Sequence, residues 1–105
     1  MIATAWFSGK HNTTGGGYGL KLRQEERDQN FQRSWKTVFL SLPGRVGELE
    51  LSLTPSFWNN TCRELRSAEI GRWFIRNGYS PWKKGSPPKF NLVQVQDNHF
   101  VLQLL

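Results

Sequence analysis

Hydrophobic and polar residues alternate with a period of two along several short stretches of this chain. The clearest stretch runs from Glu48 to Leu53, where three leucines alternate with two glutamates and a serine. This alternation predicts a strand with one buried side and one side facing solvent. The turn formers of Pro43 to Gly47 join it to the apolar run Trp35 to Leu42, so these segments predict a β-hairpin.

Four other segments have a similar β-branched, aromatic or alternating character: Ile2 to Phe7, Tyr18 to Leu22, Phe90 to Val95 and His99 to Leu104. The last two are separated by Gln96-Asp97-Asn98, where Asp and Asn tolerate the positive φ of a tight turn. The first two are separated by a polar, glycine-rich loop. The pattern therefore predicts about six strands.

Two segments favour helix over strand. Arg23 to Arg33 is densely charged, with acidic residues toward its start, which is typical of one helical turn or more. Ser67 predicts an N-cap for a second helix from about Ala68 to Asn77, because its apolar residues share one face. Since no long βαβ alternation is present, we expect a mostly β (α+β) fold. An open antiparallel barrel with a helix at one end fits best.

The tryptophans divide into two groups. Trp6, Trp35 and Trp73 fall at positions that predict the core. Trp58 and Trp82 lie in two segments rich in turn formers, residues 54–61 and 79–88, which predict loops. These two indoles would either pack over the barrel end or stack on a nucleic-acid base.

The charge balance points to an anionic partner. The chain of 105 residues is long enough for one domain and carries 14 Lys+Arg against 8 Asp+Glu, a formal charge of +6. Basic residues are densest between positions 63 and 89, where seven of them face only Glu64 and Glu69. Nucleic acid is the polyanion that such an excess predicts first.

Several protein classes are excluded by composition and motif content. Cys62 is the only cysteine, so no intramolecular disulfide forms, and with His11 and His99 it gives no zinc-ligand spacing. We expect no metal, no cofactor, no catalytic activity and no small-molecule substrate, because no nucleophile or phosphate-binding fingerprint is present. Without a secretory leader or about 20 consecutive apolar residues, we expect no membrane contact and a cytoplasmic location.

The polar loop between the first two strands carries candidate binding groups. Its side chains are the donors and acceptors that contact phosphates and base edges: Ser8, Lys10, His11, Asn12, Thr13 and Thr14. A binding loop and a plain flexible connection are both compatible with this composition.

Two stretches resemble a known family, the DNA-binding pseudobarrel of EcoRII-type restriction endonuclease effector domains and plant B-three transcription factors. Residues 7–22 are similar to the bacterial members' first strand, polar Asn/Thr/Gly loop and following Gly-aliphatic strand. Residues 56–61, then Ile70 to Phe74 and Asn77-Gly78, are similar to the plant members' aromatic-Asn loop and helix carrying Trp and Phe. The segment Trp82 to Pro88 departs from the family's usual Gly-Asp turn.

The resemblance implies a seven-stranded open barrel that grips duplex DNA in the major groove between two arms. The first arm would be the polar-loop residues just named, and the second would comprise Trp58, Asn59, Asn60, Thr61 and Arg63. We therefore expect a non-catalytic double-stranded DNA-binding domain. Lys and Arg would hold phosphates, while Asn59 or Asn60 would contact adenine and Arg63 guanine.

Two alternative functions remain open on sequence alone. The first is a protein-interaction module that binds an acidic protein partner through the Trp58 and Trp82 surface and its basic rim. The second is a subunit of a restriction or recombination system, although the chain contains no nuclease domain of its own.

Overall fold

Seven strands form one sheet in a computed structural model that describes residues 1–105. The strands and helices, in chain order, are β1 (Ile2–Phe7), β2 (Tyr18–Leu22), α1 (Gln24–Asn30), β3 (Thr37–Ser41), β4 (Leu49–Ser52), β5 (Glu64–Arg66), α2 (Ala68–Arg76), β6 (Lys89–Gln96) and β7 (His99–Leu104). A short 3-10 helix, Pro55–Trp58, lies between β4 and β5. Neither α-helix is long or apolar enough to span a bilayer.

The strand order is β4-β3-β7-β6-β1-β2-β5. All neighbouring strands are antiparallel except β3 and β7, which are parallel. The sheet curls until β4 and β5 face each other, so the barrel is nearly closed with one unsealed seam. This confirms the predicted mostly β, open-barrel fold with short helices. The seventh strand, β5, has only three residues and is not among the six that the alternation predicts.

The barrel interior follows from the alternation along each strand. Leu49 and Leu51 of β4 are buried while Glu48, Glu50 and Ser52 are exposed, as predicted. In β1 the residues that point inward are Ala3 and Ala5. The prediction that Trp6 belongs to the core is therefore wrong, because a period of two places it on the outer face.

The other four indoles pack inward. Trp73 is buried, and Trp35, Trp58 and Trp82 are half-buried against the core. Trp73 lies on α2, whose N-cap Ser67 accepts a hydrogen bond from the Glu69 backbone N–H at 3.1 Å. The helix starts as predicted and ends at Arg76, one residue before the predicted boundary.

Two connecting loops lie at opposite ends of β2. Residues 8–17, here the first loop, join β1 to β2, and residues 53–63, here the second loop, join β4 to β5. The pair Phe7 and Tyr18 places the first loop at one end of β2. The Leu22 backbone N–H donates to the Arg63 carbonyl at 3.1 Å, which places the second loop at the other end.

Candidate nucleic-acid interface

Basic side chains gather on the outer face of β6, β1, β2 and β5, between the two loops. The strand register aligns Lys89, Thr4, Lys21 and Glu64 in one row and Trp6, Gly19 and Arg66 in the next. We call this surface the basic face, after Lys89, Lys21 and Arg66. The other half of the barrel differs, since the outward positions of β3 and β7 carry no Lys or Arg.

The first loop is held by an aromatic cluster. The His11 ring stacks on Phe7 at 4.1 Å between centroids and meets Trp82 edge-on at 4.5 Å. Its Nδ1 lies 3.1 Å from the Tyr18 hydroxyl and 3.2 Å from the Ser80 hydroxyl. His11 and Trp82 are thus anchoring groups, and the packing interpretation of Trp82 is the one that the structure favours.

Asn12 folds the rest of the first loop around its side-chain amide. Its Oδ1 accepts from the Thr14 N–H at 3.0 Å, the Thr14 hydroxyl at 3.0 Å and the Gly15 N–H at 2.9 Å. Its Nδ2 donates to the Gly16 carbonyl at 2.9 Å. The amide is therefore occupied inside the loop, which is the ordinary turn-forming use of asparagine.

The remaining polar groups of the first loop face solvent. Ser8, Lys10 and Thr13 are exposed, and their side chains form no hydrogen bond within the protein. Of the six first-loop residues predicted to bind, these three are free to contact a partner. His11, Asn12 and Thr14 instead hold the loop in shape.

The second loop is held by Arg27, a residue of the separate helix α1 whose side chain is fully buried. Its Nη1 donates to the carbonyls of Phe57 and Asn59, each at 3.0 Å, and its Nη2 donates to Asn60 Oδ1 at 3.3 Å. Asp28 pairs with the same guanidinium at 2.9 Å. Arg27 is not among the residues predicted from sequence, because its partners lie about 30 residues further along the chain.

Arg63 closes the second loop onto β2. It adopts a positive φ of 59°, and its guanidinium donates to the carbonyls of Leu22, at 3.0 Å, and Asn60. Asn59 Oδ1 accepts from the Thr61 N–H and hydroxyl at 2.8 and 2.7 Å, which leaves its Nδ2 without a protein partner. Asn60 Nδ2 likewise has no protein partner, so both second-loop asparagines retain a free donor that could contact a base edge.

Trp58 has a packing role in the second loop. Its ring meets Phe57 edge-on at 5.1 Å between centroids. The guanidinium carbons of Arg27 and Arg33 lie 5.5 and 4.7 Å from its ring centroid. Trp58 and Trp82 belong to opposite ends of β2, so they form no shared surface.

Arg66 lies on β5, the edge strand of the basic face beside the seam, and is not among the residues predicted from sequence. Its guanidinium carbon lies 4.6 Å from the Trp6 ring centroid, and its Nη2 donates to Glu64 Oε1 at 3.0 Å. Gly19 stands between Trp6 and Arg66 in the register, so no side chain separates them. A Cβ on Gly19 would lie only 2.5 Å from the Leu65 carbonyl oxygen, so this position requires glycine.

The start of α2 adds further charge beside the first loop. Arg72 donates to Glu69 and, at 3.3 Å, to the Thr14 carbonyl. The hydrogen bond from Arg72 lowers the pKa of Glu69, helped by the positive charges of Arg72, Arg45 and Arg76 and opposed by desolvation. Arg72 therefore ties the first loop to the helix while keeping Glu69 ionised.

The unsealed seam opens into a cleft of about 500 Å³ next to the basic face. Its walls are polar and include the carboxylates of Glu50 and Glu64 together with Arg66. Two carboxylates against one guanidinium make the cleft unsuitable for phosphate. Any anion would therefore be drawn to the lysines of the basic face and to the loops rather than to the seam, whose wall includes Arg66 and Glu64.

These features define a small open β-barrel with one basic outer face bounded by two structured loops. Comparison of the chain with protein-family models, with curated proteins and with solved structures finds no match.

Proposed function

We propose that the protein is a non-catalytic domain that binds double-stranded DNA on its basic face. The observation that carries this proposal is the placement of Lys89, Lys21 and Arg66 on one outer face between two polar loops. The net charge of +6 gives the domain the long-range attraction to polyanions that such binding needs.

The spacing of the loops suits a duplex. They flank β2, whose five residues span about 13 Å at the usual rise of a strand. The major groove of B-DNA is about 12 Å wide. Loops separated by this distance can approach both margins of one major groove while the strands between them face its floor.

The polar side chains of the basic face and the two loops suggest which residues would contact phosphates and which would contact base edges. Lys10, Lys21 and Lys89 would neutralise phosphates, while Ser8, Thr13 and the Asn59 amide would contact base edges or phosphate oxygens. Asn60 would contact a base through its Nδ2, which has no protein partner, while Arg27 holds its Oδ1. The Arg63 guanidinium is bonded to the carbonyls of Leu22 and Asn60, so we assign Arg63 to shaping the second loop.

The resemblance to the pseudobarrel family supports the same function, because a seven-stranded open barrel is the fold that it implies. The alternative with an acidic protein partner loses its proposed surface, since Trp58 and Trp82 lie at opposite ends of β2 and both pack inward. No observation in the structure favours a subunit of a restriction or recombination system over a free-standing domain.

Fluorescence anisotropy with a labelled random-sequence duplex tests the proposal across a salt series. If about five phosphates are neutralised, log K should fall with log salt at a slope of roughly −4 to −5. Lys21→Gln should weaken binding and make this slope shallower by about one. Val46→Glu makes the same change in net charge at the exposed turn between β3 and β4 and should alter the slope little.

Two results would contradict the proposal. One is the absence of any binding to duplex DNA at low salt. The other is an equal effect of K21Q and V46E, which would show that only the net charge of the protein determines binding and that the basic face is not the binding surface.

A further inference from the structure

The interaction of Arg66 with Trp6 and Glu64 gives the basic face one cation that is fixed in orientation. Lys21 and Lys89 are flexible point charges, and only Lys21 has a protein contact, to the Thr61 carbonyl at 3.2 Å. Arg66 by contrast is held by an aromatic ring on one side and a carboxylate on another, while about half of its side chain stays exposed. A side chain ordered before binding loses less conformational entropy when it makes a contact.

We propose that Arg66 reads a guanine base in the major groove and that Glu64 is the residue that positions it. This inference rests on the proposed DNA binding and adds a specificity-determining residue to it. One N–H of Nη2 is used on Glu64 Oε1, and the remaining guanidinium N–H groups have no protein acceptor. Whichever Nη2 hydrogen is used, one of the two parallel N–H pairs of the guanidinium stays complete. Such a pair matches the O6 and N7 acceptors of guanine.

The surroundings of Arg66 favour a base edge over a phosphate. Glu64 is 7% exposed and lies against the guanidinium, so the pair has little net charge with which to attract a phosphate. The Glu64 carboxylate would also repel a phosphate placed beside Arg66. What the pair retains is the geometry of its free N–H groups, and geometry is what separates guanine from other bases.

The position on the face agrees with this role. Arg66 pairs with Gly19, the second residue of β2, and its side chain crosses Gly19 to reach Trp6 on β1, so the guanidinium lies on the strands between the loops rather than on a loop. A duplex whose groove margins lie against the two loops presents base edges, rather than phosphates, to the strands between them.

Selection of bound sequences from a random duplex library, followed by affinity measurements on the selected and substituted sites, tests the inference. Wild type should select a guanine at one position, and Arg66→Lys should reduce discrimination there by about ten-fold or more, because lysine cannot form the bidentate contact. Affinity for random DNA should change little, since the charge is kept. Arg45→Lys is a matched control, as Arg45 also pairs with a glutamate, Glu69, but lies in the turn between β3 and β4, and it should leave base preference unchanged.

Glu64→Gln tests the positioning role separately. It should raise affinity for random DNA by removing a negative charge, yet give a guanine preference between those of wild type and R66K. An unchanged preference in E64Q would show that Glu64 does not position Arg66.

Different results would overturn the proposed DNA binding and the inferred guanine contact of Arg66. Failure of the wild type to bind any duplex overturns the proposed function and this inference with it. Normal DNA binding with an unchanged guanine preference in R66K overturns only the inference. An equal loss of affinity for every sequence would assign Arg66 to a phosphate instead.

Discussion

The two loops that border the basic face are stabilised in different ways. The first loop is folded by its own asparagine, Asn12, whose amide makes four hydrogen bonds within residues 12–16. The second loop receives its main support from Arg27, a buried side chain on a separate helix. The turn closed by Asn12 is local, and Trp82 and Arg72 then hold it against the barrel, whereas the second loop depends on a guanidinium inside the barrel. We therefore expect loss of the support of the second loop to lower the free energy of unfolding more than loss of the support of the first loop.

The largest effect is expected at Arg27. Arg27→Met keeps most of the side-chain volume but leaves the carbonyls of Phe57 and Asn59 without their donor inside the protein. Unsatisfied buried groups of this kind should lower the free energy of unfolding by about 3 kcal/mol. Urea denaturation followed by tryptophan fluorescence measures the loss.

Arg33→Met is the matched control for this prediction. Arg33 lies over the same Trp58 ring as Arg27, at 4.7 Å, but is exposed and makes no hydrogen bond to the loop. Its replacement should cost about 0.5 kcal/mol. If R27M and R33M lost the same stability, the second loop would be no more dependent on the interior than the first.

Much of the fold could be predicted from the alternation of apolar and polar residues, because burial of one strand face is a local pattern. β5 could not, since three residues are too few to show a period and they lead directly into α2. The prediction that Trp6 occupies a core position is wrong because the small residues Ala3 and Ala5 are the ones that face inward.

The candidate site was less predictable, since its key contacts join distant parts of the chain. Nothing near Arg27 in sequence distinguishes a buried guanidinium from an exposed one, and Arg66 meets Trp6 only through the sheet. Asn12 is different. An asparagine followed by Thr-Thr-Gly-Gly is a local signal for a turn that the asparagine side chain closes. The sequence alone could therefore have distinguished the structural role of Asn12 from the free side chains of Ser8 and Lys10.

An intermediate effect is expected where the first loop touches α2. Gly71 lies against the backbone of Gly15, and a Cβ at Gly71 would overlap the Gly15 carbonyl. Gly71→Ala should lower the free energy of unfolding by about 2 kcal/mol, although alanine favours helix over glycine by about 1 kcal/mol. The same denaturation assay measures it.

Gly16→Ala serves as the control for this contact. Gly16 is the neighbour of Gly15 in the loop, and the nearest atom to its added Cβ would be Thr14 Oγ1 at an ordinary 3.5 Å. G16A should change stability by less than about 1 kcal/mol. A stabilising effect of G71A would show that the loop moves away from the helix at no cost, which would make the first loop still more independent than we infer.

The smallest effect is expected at Glu69, whose partner Arg72 also holds the first loop through the Thr14 carbonyl. The hydrogen bond from Arg72 lowers the pKa of Glu69 in the folded state, so the carboxylate stabilises the fold above its unfolded pKa. This contribution is lost as pH falls through the lowered folded value. The urea midpoint of wild type should therefore fall more between pH 7 and pH 3 than that of Glu69→Gln. Parallel pH profiles would mean that the ion pair of Glu69 and Arg72 contributes nothing measurable to the stability of the fold.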